Sequence, residues 1–222
     1  MGAPQDAVPS IHVAGTNGKG TVCALLASIL KESGLRAGLY TSPHLLDVRE
    51  RIAVAGKPVP ARAFAAAVDA ARRAERDPAT YFELLTAAAF HHFRETGAEV
   101  AVVEVGLGGR LDATNTLASP LLTVITSIGL DHTAHLGKTL SAIADEKAGI
   151  LKPGVPCLCG EDAPEPLSRI RRRAKEAGAP LTQARTRLEA VATDWSLGRQ
   201  RVILGGGAQG RGCPRARRGG SE

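Results

Sequence analysis

Short apolar runs rich in Val, Ile and Leu recur along the chain, and a polar cluster follows each of them. Ile11–Ala14 runs into "GTNGKGT", and residues 36–41 ("RAGLYT") run into Ser42-Pro43-His44. Residues 98–106 ("AEVAVVEVG") run into "LGGRLDATN", and residues 120–129 ("PLLTVITSIG") are followed closely by Asp131-His132. Runs of this kind suit strands buried on both faces, and helical patterns lie between them. The expected fold is α/β, a mostly parallel sheet with helices on both faces. In such sheets ligands bind beyond the carboxyl ends of the strands, where these polar clusters fall.

The helical stretches are Gly18–Ser33 with Gly34 as its stop, residues 60–76, residues 81–97, Leu140–Leu151 before Pro153, and Pro166–Ala177. Phe82, Leu85, Ala89 and Phe93 share one face of the third, and Gly97 closes it. Residues 154–160 ("GVPCLCG") read as a further strand. Residues 42–60 form a long excursion with a hairpin near Gly56, the character of an active-site loop. Aromatics make up only 3% of the chain, so a core must come from Ala, Val, Leu and Ile. No apolar run reaches the length of a membrane span and no signal-peptide pattern opens the chain, so a soluble cytoplasmic protein without a membrane partner is expected.

Four scattered cysteines (Cys23, Cys157, Cys159, Cys213) fit neither a zinc site nor a disulfide framework. The net charge of +6 invites a nucleic-acid partner, but six arginines against one acid in residues 198–222 account for five of those charges. The basicity belongs to a Gly/Arg-rich tail with no aromatic interleaving, so no nucleic acid is expected.

Residues 10–30 carry a phosphate-loop signature in unusual spelling. The pattern G-x-x-x-x-G-K-[ST] wants Gly where Val13 stands and Ser or Thr where Gly20 stands. Backbone amides of Thr16, Asn17, Gly18, Lys19, Gly20 and Thr21 would still form an anion cradle, with Lys19 supplying charge. The plainer alternative is a tight turn capped by Thr16. Ser42 can ligate Mg²⁺ or cap a turn. Glu104, a carboxylate in an apolar strand, needs a cation or a strong donor; an ion pair with Arg110 is the simple solution. His132 can serve as a metal ligand oriented by Asp131. Lys147 reads as an ordinary solvated helix lysine. Together these residues describe a nucleotide-phosphate site with Mg²⁺ on Glu104, His132 and Ser42, and hence phosphoryl transfer or hydrolysis with no acceptor specified.

The ordered set "HVAGTNGKGT", "TSPHL", "YFELLTAAAF", "VVEVGLGGRLDATN" and "SIGLDHTAHLGKTLSAIADEKAGILKPGVP" resembles the folylpolyglutamate synthase/dihydrofolate synthase family, a branch of the Mur-type amide ligases. The resemblance runs from about Ile11 to about Pro156. It implies a Mur-ligase central-domain-like fold of P-loop type. The implied reaction joins L-glutamate to dihydropteroate or a reduced folate, with ATP forming an acyl phosphate. It further implies that Thr16–Thr21 hold the ATP phosphates and that Ser42, Glu104 and His132 hold Mg²⁺. Lys147 would be catalytic as a carbamate holding a second Mg²⁺, beside Lys19 and His132. Pro43, His44, Phe82, Glu83, Arg110 and Asp112 would shape the substrate cleft.

Set against that family, the expected organisation is an ATP-binding domain over residues 1–197, lacking N-terminal helices, a disordered tail over 198–222, and no C-terminal ligase domain. Two other readings remain at this point. One is a Mg-ATP-binding fragment that ligates nothing, the other a different Mur-type amino-acid ligase. A monomer acting on small-molecule substrates is expected in each case.

Overall fold

A computed structural model describes residues 1–184, 187–194 and 199–205. Eight strands join into one sheet: β1 (Ser10–Ala14), β2 (Ala37–Tyr40), β3 (Ile52–Val54), β4 (Lys57–Pro58), β5 (Val100–Glu104), β6 (Leu122–Ile125), β7 (Cys157–Cys159) and β8 (Leu181–Gln183). Their order is β4-β3-β2-β5-β1-β6-β7-β8. From β2 to β8 every neighbour runs parallel. At one edge of this sheet β3 runs against its neighbours, antiparallel to β2 and, through a hairpin turned by Ala55 and Gly56 at positive φ, to β4. The expected hairpin at Gly56 is present.

Six helices connect these strands: α1 (Lys19–Glu32), α2 (Ala61–Arg73), α3 (Tyr81–Glu95), the short α4 (Thr133–Leu136), α5 (Leu140–Lys147) and α6 (Pro164–Ala177). The pleat sorts the core. Val102 of β5 faces α1 together with Ile11, Val13 and Val124. Its neighbours Ala101 and Val103 point the other way, where α3 packs through Ala89, Phe90 and Phe93. The α5 and α6 helices cover the same side further along, against Ile125, Cys157 and Cys159. Both faces therefore carry helices, as expected, but unevenly.

Three boundaries differ from the sequence expectation. The α-helix ends at Lys147 and a 3-10 turn (Ala148–Ile150) replaces its last expected turn, because Gly149 packs directly on Arg110. The compact unit closes at Ala184, earlier than the expected 197. The expected tail begins inside regular structure, since β10 (Arg199–Gly205) pairs antiparallel with β9 (Arg187–Asp194) in a separate unit. The β-favouring run Val202-Ile203-Leu204 gives that segment strand character in the sequence. The rest of the tail, 206–222 with Cys213, lies outside the described residues. No helix among the described residues is long and apolar enough to cross a membrane.

Candidate active site

The central strand β1 delivers the glycine-rich loop. Gly15 sits at φ +147°, and a Cβ there would lie 1.8 Å from Thr126 Oγ1, so only glycine fits. The loop is fastened to the end of β6. The Thr16 amide donates to the Ser127 carbonyl at 2.7 Å, and the Thr126 hydroxyl donates to the Asn17 carbonyl at 2.7 Å. Thr16 Oγ1 accepts from the Gly129 amide at 3.0 Å and donates to the Gly129 carbonyl at 3.2 Å. Its hydroxyl is thus committed to the β6 side and does not cap α1, so the cap expected of Thr16 is not formed. Gly18 stands at the start of α1 at φ +82° with no side-chain cap, leaving the opening amides for another partner. Lys19 folds back on its own loop, donating to the carbonyls of Gly15 at 3.0 Å and Thr16 at 3.3 Å.

Glu104 ends β5 and is only 4% exposed. Burial raises its pKa, opposed by a hydrogen bond from the Ser42 amide at 3.1 Å and by the charge of Lys19. The expected ion pair with Arg110 does not form. Arg110 instead reaches Glu146 at 2.9 Å, because its loop packs on the end of α5 rather than over β5. Among the described residues Glu104 has no ion-pair partner, so a buried carboxylate is left with one backbone donor. Gly20 stands beside it: a Cβ there would lie 3.7 Å and 3.8 Å from the two carboxylate oxygens.

Lys147 is not a solvated surface lysine. It is 3% exposed, and its ammonium donates to the Gly15 carbonyl at 2.8 Å, beneath the phosphate-loop candidate. Burial, with the charge of Lys19 adding to it, lowers its pKa to about 8. His132 flanks α4 at φ +48° and is exposed. Its Nε2 lies 3.6 Å from Asp131 Oδ1, too far for a hydrogen bond, so Asp131 does not fix the ring.

Above the strand ends opens a cleft of about 770 Å³, within the range of small-molecule sites. Lys19, Ser42, Pro43, Phe82, Arg110 and His132 all line it, as do Glu83 and Asp112. Glu104 lies behind Ser42 and Lys147 behind Gly15. His44 does not line the cleft; its Nδ1 accepts from Arg51 Nε at 2.9 Å, and Arg51 does line it. The Arg51 guanidinium also stands 5.8 Å from the centre of the Tyr81 ring, a cation–π contact at the cleft rim.

Two of the expected substrate carboxylates have structural partners. Glu83 closes a capping box on α3, accepting from the Thr80 amide and hydroxyl at 2.7 Å each. Asp112 accepts from the Leu107 amide at 2.8 Å and from the Thr114 amide at 3.0 Å. The Thr114 hydroxyl also donates to Asp112 and accepts from His12 Nε2 at 2.8 Å. Sequence reasoning passed over His135 and Glu146 in the cleft wall and the buried Glu161 just past the carboxyl end of β7. Glu161 takes the amides of Ile128, Asp162 and Ala163, and the rule that polar residues follow strand ends could have found it. No group of three or more His, Cys, Asp or Glu positioned for a metal occurs among the described residues. A cation here would therefore have few protein ligands among the described residues.

Residues 13–157 match the family model of the Mur ligase middle domain. The chain belongs to that family. This Mur ligase middle domain is 44% identical over 183 residues to a probable dihydrofolate synthetase of Schizosaccharomyces pombe, covering 81% of the chain and 44% of that protein. It is 43% identical over 189 residues to the dihydrofolate synthase/folylpolyglutamate synthase of Bacillus subtilis, covering 82% of the chain and again 44% of the relative. The chain thus spans less than half the length of these curated relatives. Among solved structures, E. coli FolC in complex with DHPP and ADP superposes with a TM-score of 0.79 at 42% identity, covering 86% of this chain and 46% of that one. A bifunctional folylpolyglutamate synthase/dihydrofolate synthase with Mn, AMPPNP and L-glutamate bound gives 0.76 at 40% identity, covering 81% and 44%.

Proposed function

We propose that this Mur ligase middle domain is the ATP-binding part of a ligase that joins L-glutamate to dihydropteroate or a reduced folate. One observation carries the reading. Lys19, Ser42, His132, Phe82 and Arg110, drawn from five separate stretches of sequence, line a single cleft over the buried Glu104 and Lys147. The bound ADP, AMPPNP, Mn and L-glutamate named for the structural relatives support it.

The site's own residues set what it can do. Lys19 would leave the Gly15 and Thr16 carbonyls for phosphate oxygens, and the uncapped amides of α1 would take the rest of that charge. Mg²⁺ would fit beside Glu104, whose burial with one donor asks for a cation, with Ser42 and His132 as the remaining protein ligands. Such an ion offsets phosphate charge as it meets a carboxylate. The pKa of Lys147 near 8 leaves a share of neutral amine at physiological pH, the form that adds CO₂ to become a carbamate for a second cation. Arg110 and Phe82 offer a cation and an aromatic face to an acidic, ring-bearing acceptor.

Mass spectrometry tests the reading directly. The chain is incubated with Mg-ATP, L-glutamate and either dihydropteroate or a reduced folate, and a glutamylated product is expected with one acceptor or both. Saturable Mg-ATP binding with no acceptor-dependent product would instead make this chain a nucleotide-binding module. A chain that binds no nucleotide would sink both readings.

A further inference from the structure

The loop after β5 and the end of α5 meet backbone to backbone. A Cβ at Gly109 would lie 2.8 Å from the Glu146 carbonyl oxygen and 3.0 Å from that of Lys147. One at Gly149 would lie 2.4 Å from Arg110 Cβ. The Arg110 amide donates to the Glu146 carbonyl at 2.9 Å. Besides that backbone bond and the Arg110–Glu146 ion pair, one side-chain amide spans this seam. Asn115 Nδ2 donates to the Arg110 carbonyl at 3.0 Å and to the Gly149 carbonyl at 3.1 Å. Its neighbour Thr114 is fully buried and is hydrogen-bonded to His12 of the central strand β1.

We propose that Asn115 is a positioning residue: its amide pins the loop that carries Arg110 to the α5 terminus that carries Lys147. The chemistry of the seam selects the residue type. Two carbonyls on different segments need two N–H donors on one short side chain. Asparagine supplies both from one nitrogen, while an aspartate of the same shape supplies neither when ionised. The anchor lies in the sheet, through Thr114 and His12, so both segments are held to β1 and not merely to each other. Arg110 faces the cleft and Lys147 lies under the glycine-rich loop, so the pin fixes a cleft-side group relative to a loop-side one. Its value to ligation rests on the function proposed above; the pinning itself does not.

Asn115→Asp and Asn115→Ala, made in the full chain, test it without any turnover. Acylation of the Lys147 amine at one fixed pH is followed by peptide mass spectrometry, with Lys19 as internal reference. Hydrogen exchange is followed over residues 107–112, 146–151 and 100–104. A folded variant is expected to label Lys147 about ten-fold faster with Lys19 unchanged, and to exchange faster in the first two segments but not the third. Where glutamylation is measurable, kcat falls while KM for ATP stays near its original value. The proposal is overturned by unchanged Lys147 labelling in a folded variant or by exchange that rises evenly across the sheet. Failure of both variants to fold also overturns it, since Asn115 would then support the whole fold. Failure to find a ligase product leaves the labelling result standing, and the two ideas fall separately.

Discussion

Lys147 and His12 are buried cationic-type side chains whose titration is pushed toward the neutral form, and each gives stability a pH dependence. The Lys147 amine binds its proton near pH 10.5 when unfolded but near 8 when folded, so the unfolded chain holds more protons between those values. Burying the ammonium therefore costs stability at neutral pH, and the cost fades as pH rises from 8 toward 10.5. Lys147→Met is expected to stabilise the ligand-free chain by about 1–3 kcal/mol at pH 7, while abolishing any ligase activity. Urea midpoints would show the gap closing at alkaline pH, and a destabilised variant would make Lys147 a structural cation instead. His12 is held neutral mainly by burial, with Lys152 adding to it, and its pKa falls to about 3. Stability present above pH 6.5 is lost as pH falls toward 3, because the unfolded imidazole takes a proton that the folded one refuses. His12→Gln is expected to lose less stability than the parent between pH 7 and pH 5, whatever it costs at pH 7.

Among the elements, the loop between β1 and α1 and the start of α3 invite the sharpest tests. Gly15→Ala would drive a methyl into Thr126, so it is expected to destabilise by roughly 2 kcal/mol or more and to weaken nucleotide binding with it. Thermal melts with and without Mg-ATP would measure both. Thr80→Ala removes a cap and should cost about 1 kcal/mol, while nucleotide affinity holds. A fall in acceptor-dependent product larger than the loss of stability explains would give Glu83 a substrate role as well. The spelling Thr80-x-x-Glu83 before an apolar run is a capping-box signature, so the structural job of Glu83 was legible in the sequence beside its place in the cleft. The strands of the parallel core were legible too, through their Val and Ile runs. Their order was not, because β1 pairs with β5 and β6 across long connections that local pattern does not encode. Neither was the burial of Lys147, whose helix shows it as one charge among Asp145 and Glu146. Its surroundings come from the close approach of Gly109 to the Glu146 and Lys147 carbonyls and of Gly149 to Arg110, between segments far apart in sequence.

On the scale of the whole molecule, residues 1–184 form one compact unit with its own core on both sides of the sheet. A chain ending at Ala184 is therefore expected to melt within a few degrees of the full chain and to bind Mg-ATP with similar affinity, measured by calorimetry. A collapse in either would show that residues 1–184 are not self-sufficient. With ligand at a hundred times its dissociation constant, binding should add about 2.7 kcal/mol to the stability of either form. One feature lets that occupancy be followed residue by residue. The first turn of α1 has no side-chain cap, so its opening amides are open, and the phosphate proposed to bind there would cap them. Those same few amide protons would become slow to trade with solvent for as long as the phosphate stayed. The helix start is thus its own gauge, reporting how much of the population is loaded before any bond is made or broken.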